Sequence, residues 1–175
     1  MLALKQTAAS SDRKRPLHLG DSNSLIDLGT FEDCLYQHEK RATLSFELGW
    51  TLPKILSVRD PIHDTDFSGD ALRLATSLRE INGHPTVTTL EYALEKMHYR
   101  RAETGKDAGK YDLTSEQYSL VRNPGRPWKL QPPVKFYGFP DEANAYYQNT
   151  GFLSDFALAT ESLLRDLYYL GPLRD

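Results

Sequence analysis

Over residues 43–52 apolar and polar side chains alternate without a break. Leu44, Phe46, Leu48, Trp50 and Leu52 stand against Thr43, Ser45, Glu47, Gly49 and Thr51. A period of two sends successive side chains to opposite faces, so this stretch fits a strand with one face buried. Weaker alternation recurs at 72–78, 87–94 and 111–113, and 118–121 reads as a further strand. The Asp-, Gly- and Pro-containing stretches between them are turn material. They favour antiparallel hairpins over crossover helices.

Helical patterns bracket this β-rich middle. Residues 2–9 read as the tail of a helix, 10–16 as a polar loop, and 24–29 as a short strand running into a turn. After the middle, Pro124, Pro127, Pro132 and Pro133 hold a connector extended. A compact aromatic run follows at 134–140. Asp141 stands where it would cap a short helix reaching Tyr147. A longer helix is expected from Ser154 or Asp155, with Phe156, Ala159, Leu163 and Leu167 on one face at spacings of three and four. The expected fold class is α+β.

Composition narrows the function. A chain of 175 residues, 39% of them hydrophobic, suits one domain or part of one, with material for a core. A net charge of −3 argues against a general binder of nucleic acid or anionic membrane. No apolar run approaches the ~20 residues that span a bilayer. The amino end lacks the basic flank and cleavage site of a signal peptide, so none is expected. Cys34 is the single cysteine, which excludes an internal disulfide or a four-cysteine zinc site and agrees with a reducing cytoplasm.

Chemistry-bearing groups are few. Cys34 and His38 stand four apart, a spacing that on a helix would put two metal ligands on one face. No second pair at zinc-like spacing accompanies them, and they read as a small buried thiol beside a surface histidine. His63, Asp64, Thr65 and Asp66 include cation-binding residue types but lack the rest of a calcium loop, which leaves a solvated acidic turn. Lys135, Phe136, Tyr137, Gly138 and Phe139 superficially match the aromatic strand of RNA-recognition modules. The glycine that should follow the lysine is missing and Pro140 ends the run, so these aromatics are expected to anchor a loop on the core. Arg13, Lys14 and Arg15 form a short solvated basic cluster. There is no Gly-x-Ser-x-Gly elbow and no Gly-x-x-x-x-Gly-Lys-Ser/Thr loop.

Both ends read as cut. The first residues are already helical without an N-cap, and the last turn on Gly171-Pro172 directly after a helix, a stop-and-redirect signal. Three stretches resemble bacterial AAA-family ATPases with ABC/SMC-like heads, related to the ATPase half of OLD-type nucleases. Residues 1–7 are similar to the tail of the helix behind that family's phosphate loop. Residues 25–33, with Leu44, Ser45 and Phe46 after them, resemble its Asp-Leu-Gly-x-Phe-Glu-Asp turn and following strand. Residues 132–140, running through Tyr146 and Tyr147 to 169–174, resemble its aromatic segment and the helix leading to Leu-Gly-Pro-Leu-Arg. The variable middle, 53–129, matches in character only.

The resemblance implies a partial head. Residues 1–133 would be an incomplete, β-rich ATPase segment, and 134–175 the start of a helical subdomain. The phosphate loop would lie upstream of Met1. The signature motif, the magnesium-binding aspartate, the catalytic glutamate and the switch histidine would lie downstream of Asp175. A phosphate loop cradles phosphates with its backbone N–H groups and lysine and helps to hold Mg²⁺. ATP and Mg²⁺ are therefore expected in the intact parent and neither in this chain, to which no catalytic, cofactor-binding or metal residue is carried over. Asp27 would lie near the nucleotide. Arg174 would pair with an acidic group or a phosphate, a structural salt bridge being the other reading. The parent would be a cytoplasmic homodimer sandwiching its nucleotides; its partners here would be the missing parts of its own head. A nucleic-acid role for the parent finds no support in these residues, and no membrane role is expected. The faces of Leu2 and Leu4, and of Phe156, Leu163 and Leu167, would be left uncovered. The rival reading is a non-enzymatic β-rich binding module.

Overall fold

In the computed structural model, residues 1–94, 97–103, 111–125 and 130–168 are described, with 97–103 described by backbone alone. Among the described residues five strands follow one another as an antiparallel meander: β1 (Leu44–Asp60), β2 (Thr65–Ile81), β3 (His84–Leu94), β4 (Met97–Glu103) and β5 (Tyr111–Ser115). Each strand pairs with its neighbour in sequence. The β2–β3 connection is Asn82-Gly83, both at positive φ (53° and 79°), the turn whose twist matches that of its flanking strands. α1 (Leu2–Ala9) precedes the sheet, with two short 3₁₀ turns at Glu32–Cys34 and Tyr36–His38. α2 (Glu142–Tyr146) and α3 (Phe152–Arg165) follow it. The α+β expectation holds at that level.

The alternation sets which face is covered. Ladders such as Leu48–Leu74–Tyr92 and Trp50–Leu72–Leu94 point inward, while Glu47–Ala75–Glu91 lies on the outer face. Against the inner face sit the aromatic run and α3. Phe136 meets Phe46 edge to face at 5.4 Å, and Tyr92 stacks on Phe156 at 5.3 Å, pairings that suit the ring quadrupoles. The core therefore runs from the sheet into the 134–165 segment.

Several expectations need correction. Residues 24–29 form no strand, because their backbone finds other partners. Ile26 N–H donates to the Gln6 side chain and Leu28 N–H to Leu19 C=O. Residues 118–121 form no strand either: Ser119 N–H goes to Asp60 and Val121 N–H to Asn149, side chains standing in for a neighbouring strand. α3 begins at Phe152, and Thr160 rather than Ala159 lies on its fully buried side. Asp141 precedes α2 without capping it; its carboxylate pairs with Arg13 instead. Leu4 and Phe156, expected bare, are buried, with α1 packed on α3. β1 and β2 run well beyond their predicted ends, and no expectation covered β4.

Candidate functional site

The aromatic run folds into a closed loop. Val134 and Gly138 exchange both backbone hydrogen bonds (2.8 and 2.9 Å), and Lys135 takes φ +54° at the bend. Gly138 is required there, since a Cβ would stand 2.6 Å from Val134 O. This bend drives Phe136 into the core and leaves Lys135 and Tyr137 on its flanks. Lys135 Nζ donates to the carbonyls of Ala8 (3.0 Å) and Ser10 (2.9 Å), capping the C-terminal end of α1. Burial pulls its pKa below the ordinary lysine value.

Tyr137 O–H donates to Glu161 Oε1 at 2.7 Å, and its carbonyl accepts from Tyr92 O–H at 2.7 Å. Burial first, then the Glu161 carboxylate, pushes the Tyr137 phenol far above its usual range. Tyr92 also contacts Thr160 Oγ1 at 2.9 Å. The sheet, the loop and α3 thus meet in one chain of hydrogen bonds. Beside it opens a cavity of about 360 Å³, lined by Arg13, Tyr137, Phe139, Leu153, Leu158 and Glu161 among others. Its charges are engaged within the chain: Arg13 with Asp141 at 3.1 Å, Glu161 with Tyr137. Tyr137, the hydroxyl bonded to the Glu161 carboxylate, is buried, and its raised pKa keeps it a neutral phenol. The loop anchors to the core, as expected for aromatics interrupted by Pro140.

A serine, a histidine and an aspartate do converge elsewhere. Asp60, fully buried at the end of β1, accepts from Ile62 N–H (2.8 Å), Ser119 N–H (3.0 Å) and, more weakly, His63 N–H (3.4 Å). His63 Nδ1 lies 3.1 Å from Asp60 Oδ2 and 3.1 Å from Ser119 Oγ. A catalytic triad uses the two ring nitrogens separately, one toward the acid and one toward the nucleophile. Here one nitrogen serves both contacts, so the set cannot relay a proton from Ser119 through the ring. Burial pushes the Asp60 carboxyl up, but the N–H groups of Ser119, Ile62 and His63 and the His63 ring outweigh it and hold the pKa at about 2. The arrangement is a clamp that ties the tip of the β1–β2 ribbon to the segment after β5. Nothing in the sequence advertised it, because Asp60 and Ser119 lie 59 residues apart.

The remaining candidates stay local. Cys34 and His38 fall on successive 3₁₀ turns, not one helix. Cys34 Sγ turns to Thr30 O, and His38 lies 3.7 Å from Asp33. Partial burial and the Asp33 charge raise the Cys34 pKa, which keeps it a thiol. Asp64 turns the chain at φ +50° and pairs with Arg59, while Thr65 and Asp66 belong to β2. Among the described residues no three His, Cys, Asp or Glu side chains gather as a metal site. Asp27, exposed, accepts from Gly29 N–H at 2.9 Å within its own turn. Gly29 has φ +73°, and Thr30 N–H and O–H both bond Asp33 at 2.7 Å. Arg15 pairs with Asp12 at 3.7 Å. Arg174 and the rest of 169–175 lie outside the described residues. Among the described residues no helix is long and apolar enough to cross a membrane.

Comparison of the chain with protein-family models, curated proteins and solved structures returned no match in any of the three.

Proposed function

We propose that the chain is part of an AAA-family, ABC/SMC-like ATPase head, supplying its antiparallel β-layer and the start of its helical subdomain. The observation that carries this reading is the junction at α1, where the three family-like stretches interlock. Gln6 bonds His18 O (2.7 Å) and exchanges two bonds with Ile26, just ahead of the Asp27-Leu28-Gly29 turn. Lys135 of the aromatic loop holds the carbonyls of Ala8 and Ser10. Lys5 reaches the carbonyls of Arg165 and Leu167 at the end of α3. The residues that carry the resemblance, far apart in sequence, touch one another in space.

The chain has no Gly-x-x-x-x-Gly-Lys-Ser/Thr phosphate loop, and among its described residues no three His, Cys, Asp or Glu side chains gather. Nucleotide chemistry belongs to other segments of a cytoplasmic, dimeric parent, and this chain's part is to brace them. Calorimetry with MgATP tests the reading. Negligible binding is expected for the chain alone, with binding and hydrolysis once it is joined to the segments that flank it in its gene. Micromolar binding by the chain alone, or none by the joined protein, overturns the proposal. The second reading, a non-enzymatic β-rich binding module, draws on the burial of Leu4 and Phe156 within the chain itself.

A further inference from the structure

We propose that two copies of this chain pair antiparallel through β1, across a two-fold axis at Leu48, into one continuous sheet. The inference stands apart from the ATPase reading and rests on the sheet edge. β2 flanks β1 on one side, and among the described residues no strand flanks it on the other. Such an edge offers a row of unpaired N–H and C=O groups, which proteins blunt with proline, lysine or a bulge. Here those devices sit past Thr51, at the register shift that contains Pro53 and Lys54. Residues 44–52 carry none of them. Their inward row is also open: Leu44, Phe46, Leu48 and Trp50 are partly buried, whereas Leu72, Leu74 and Leu78 beside them on β2 are at most 1% exposed.

A second copy is the occupant because the edge complements itself, in apolar row and in charge, when the axis is centred on Leu48. Centring the axis on Leu48 sets Phe46 opposite Trp50 of the second copy, an aromatic cross-strand pair, and Leu44 opposite Leu52. On the wet face Glu47 falls opposite Gly49 of the second copy. Gly49 has nothing within 4 Å of where a Cβ would stand, and its ladder partner is Arg73. The Glu47 carboxylate, bidentate to its own Arg73, therefore reaches over bare backbone toward the second copy's Arg73. Centring on Glu47 instead would set two carboxylates face to face, which is destabilising. The pairing is isologous and closes at two copies.

Sedimentation velocity on the full chain is expected to show a dimer. Gly49→Glu places a carboxylate opposite Glu47 of the other copy, in space that is open in the single chain. It is expected to halve the mass while the circular dichroism stays unchanged. Adding Glu47→Lys restores opposite charges across the axis and is expected to restore the dimer. Leu48→Cys in a Cys34→Ser background is expected to cross-link with oxidised glutathione, since the residue on the axis faces itself at a spacing a disulfide spans. The charge and cysteine variants probe the edge independently, so misfolding of one leaves the other decisive. A wild-type chain monomeric at every concentration, a dimer indifferent to Gly49→Glu, or a dimer that folded Leu48→Cys does not link overturns the proposal.

Discussion

Asp60 shows how a single buried carboxylate can fasten two distant segments. Its folded pKa of about 2 lies below the ordinary 3.8. A depressed carboxylate pKa contributes stability that is present above the unfolded value and is lost as pH falls through the folded one. The wild-type urea midpoint is therefore expected to drop between pH ~4 and ~2, and Asp60→Asn to remove that part of the drop. At neutral pH, Asp60→Ala is expected to cost about 1–3 kcal/mol by leaving buried N–H groups without an acceptor. An unchanged urea midpoint for Asp60→Ala would show the clamp to be idle. Tyr92 and Thr160 make the second residue-scale case. Each hydroxyl has one proton; Tyr92 gives its own to Tyr137 O, so Thr160 shares its proton between Tyr92 and Phe156 O. Tyr92→Phe and Thr160→Val are each expected to cost about 1 kcal/mol, and the double variant less than their sum, because both break one network. Strict additivity in a thermal-melt cycle would contradict the shared proton.

Among elements, β1 is the part most readable from the sequence. Its alternating row faces Phe136 and the β2 leucines, so Phe46→Asp sets a carboxylate against apolar neighbours. A loss of about 2–3 kcal/mol in chemical denaturation is expected, and an unaltered curve would mean that the inward face is misassigned. Strands with one wet face were legible because period two survives even when most of the inward row, as in β1, is only partly covered. The segments 24–29 and 118–121 misled for a common reason. Their apolar residues suggested strands, but Gln6, Asp60 and Asn149 supply the backbone partners that neighbouring strands would have given. Side-chain partners so remote leave no local periodicity to read. The buried side of α3 was misjudged at Thr160, whose hydroxyl sits in the core only because Phe156 O and Tyr92 satisfy it. The loop at Lys135 was legible in outline from Pro140, but not its hold on α1, which lies 127 residues away.

At the scale of the whole molecule, two lysines tie α1 to distant segments, Lys135 to its carbonyls and its own Lys5 to the end of α3. Lys135→Met keeps much of the stem's volume while removing the ammonium that both carbonyls share. It is expected to cost about 1.5–3 kcal/mol and to speed amide exchange in α1 well beyond that in β2 and β3. Equal acceleration throughout would mean that α1 has no stability of its own to lose. The same long reach orders events in time. Lys5 bonds carbonyls 160 and 162 residues further on, whereas each hairpin of the meander closes between neighbours. Loop-closure entropy delays remote pairings and favours near ones. On the ribosome, then, α1 emerges well before α3 and is expected to dock late. It waits until α3, more than 140 residues further on, has been made.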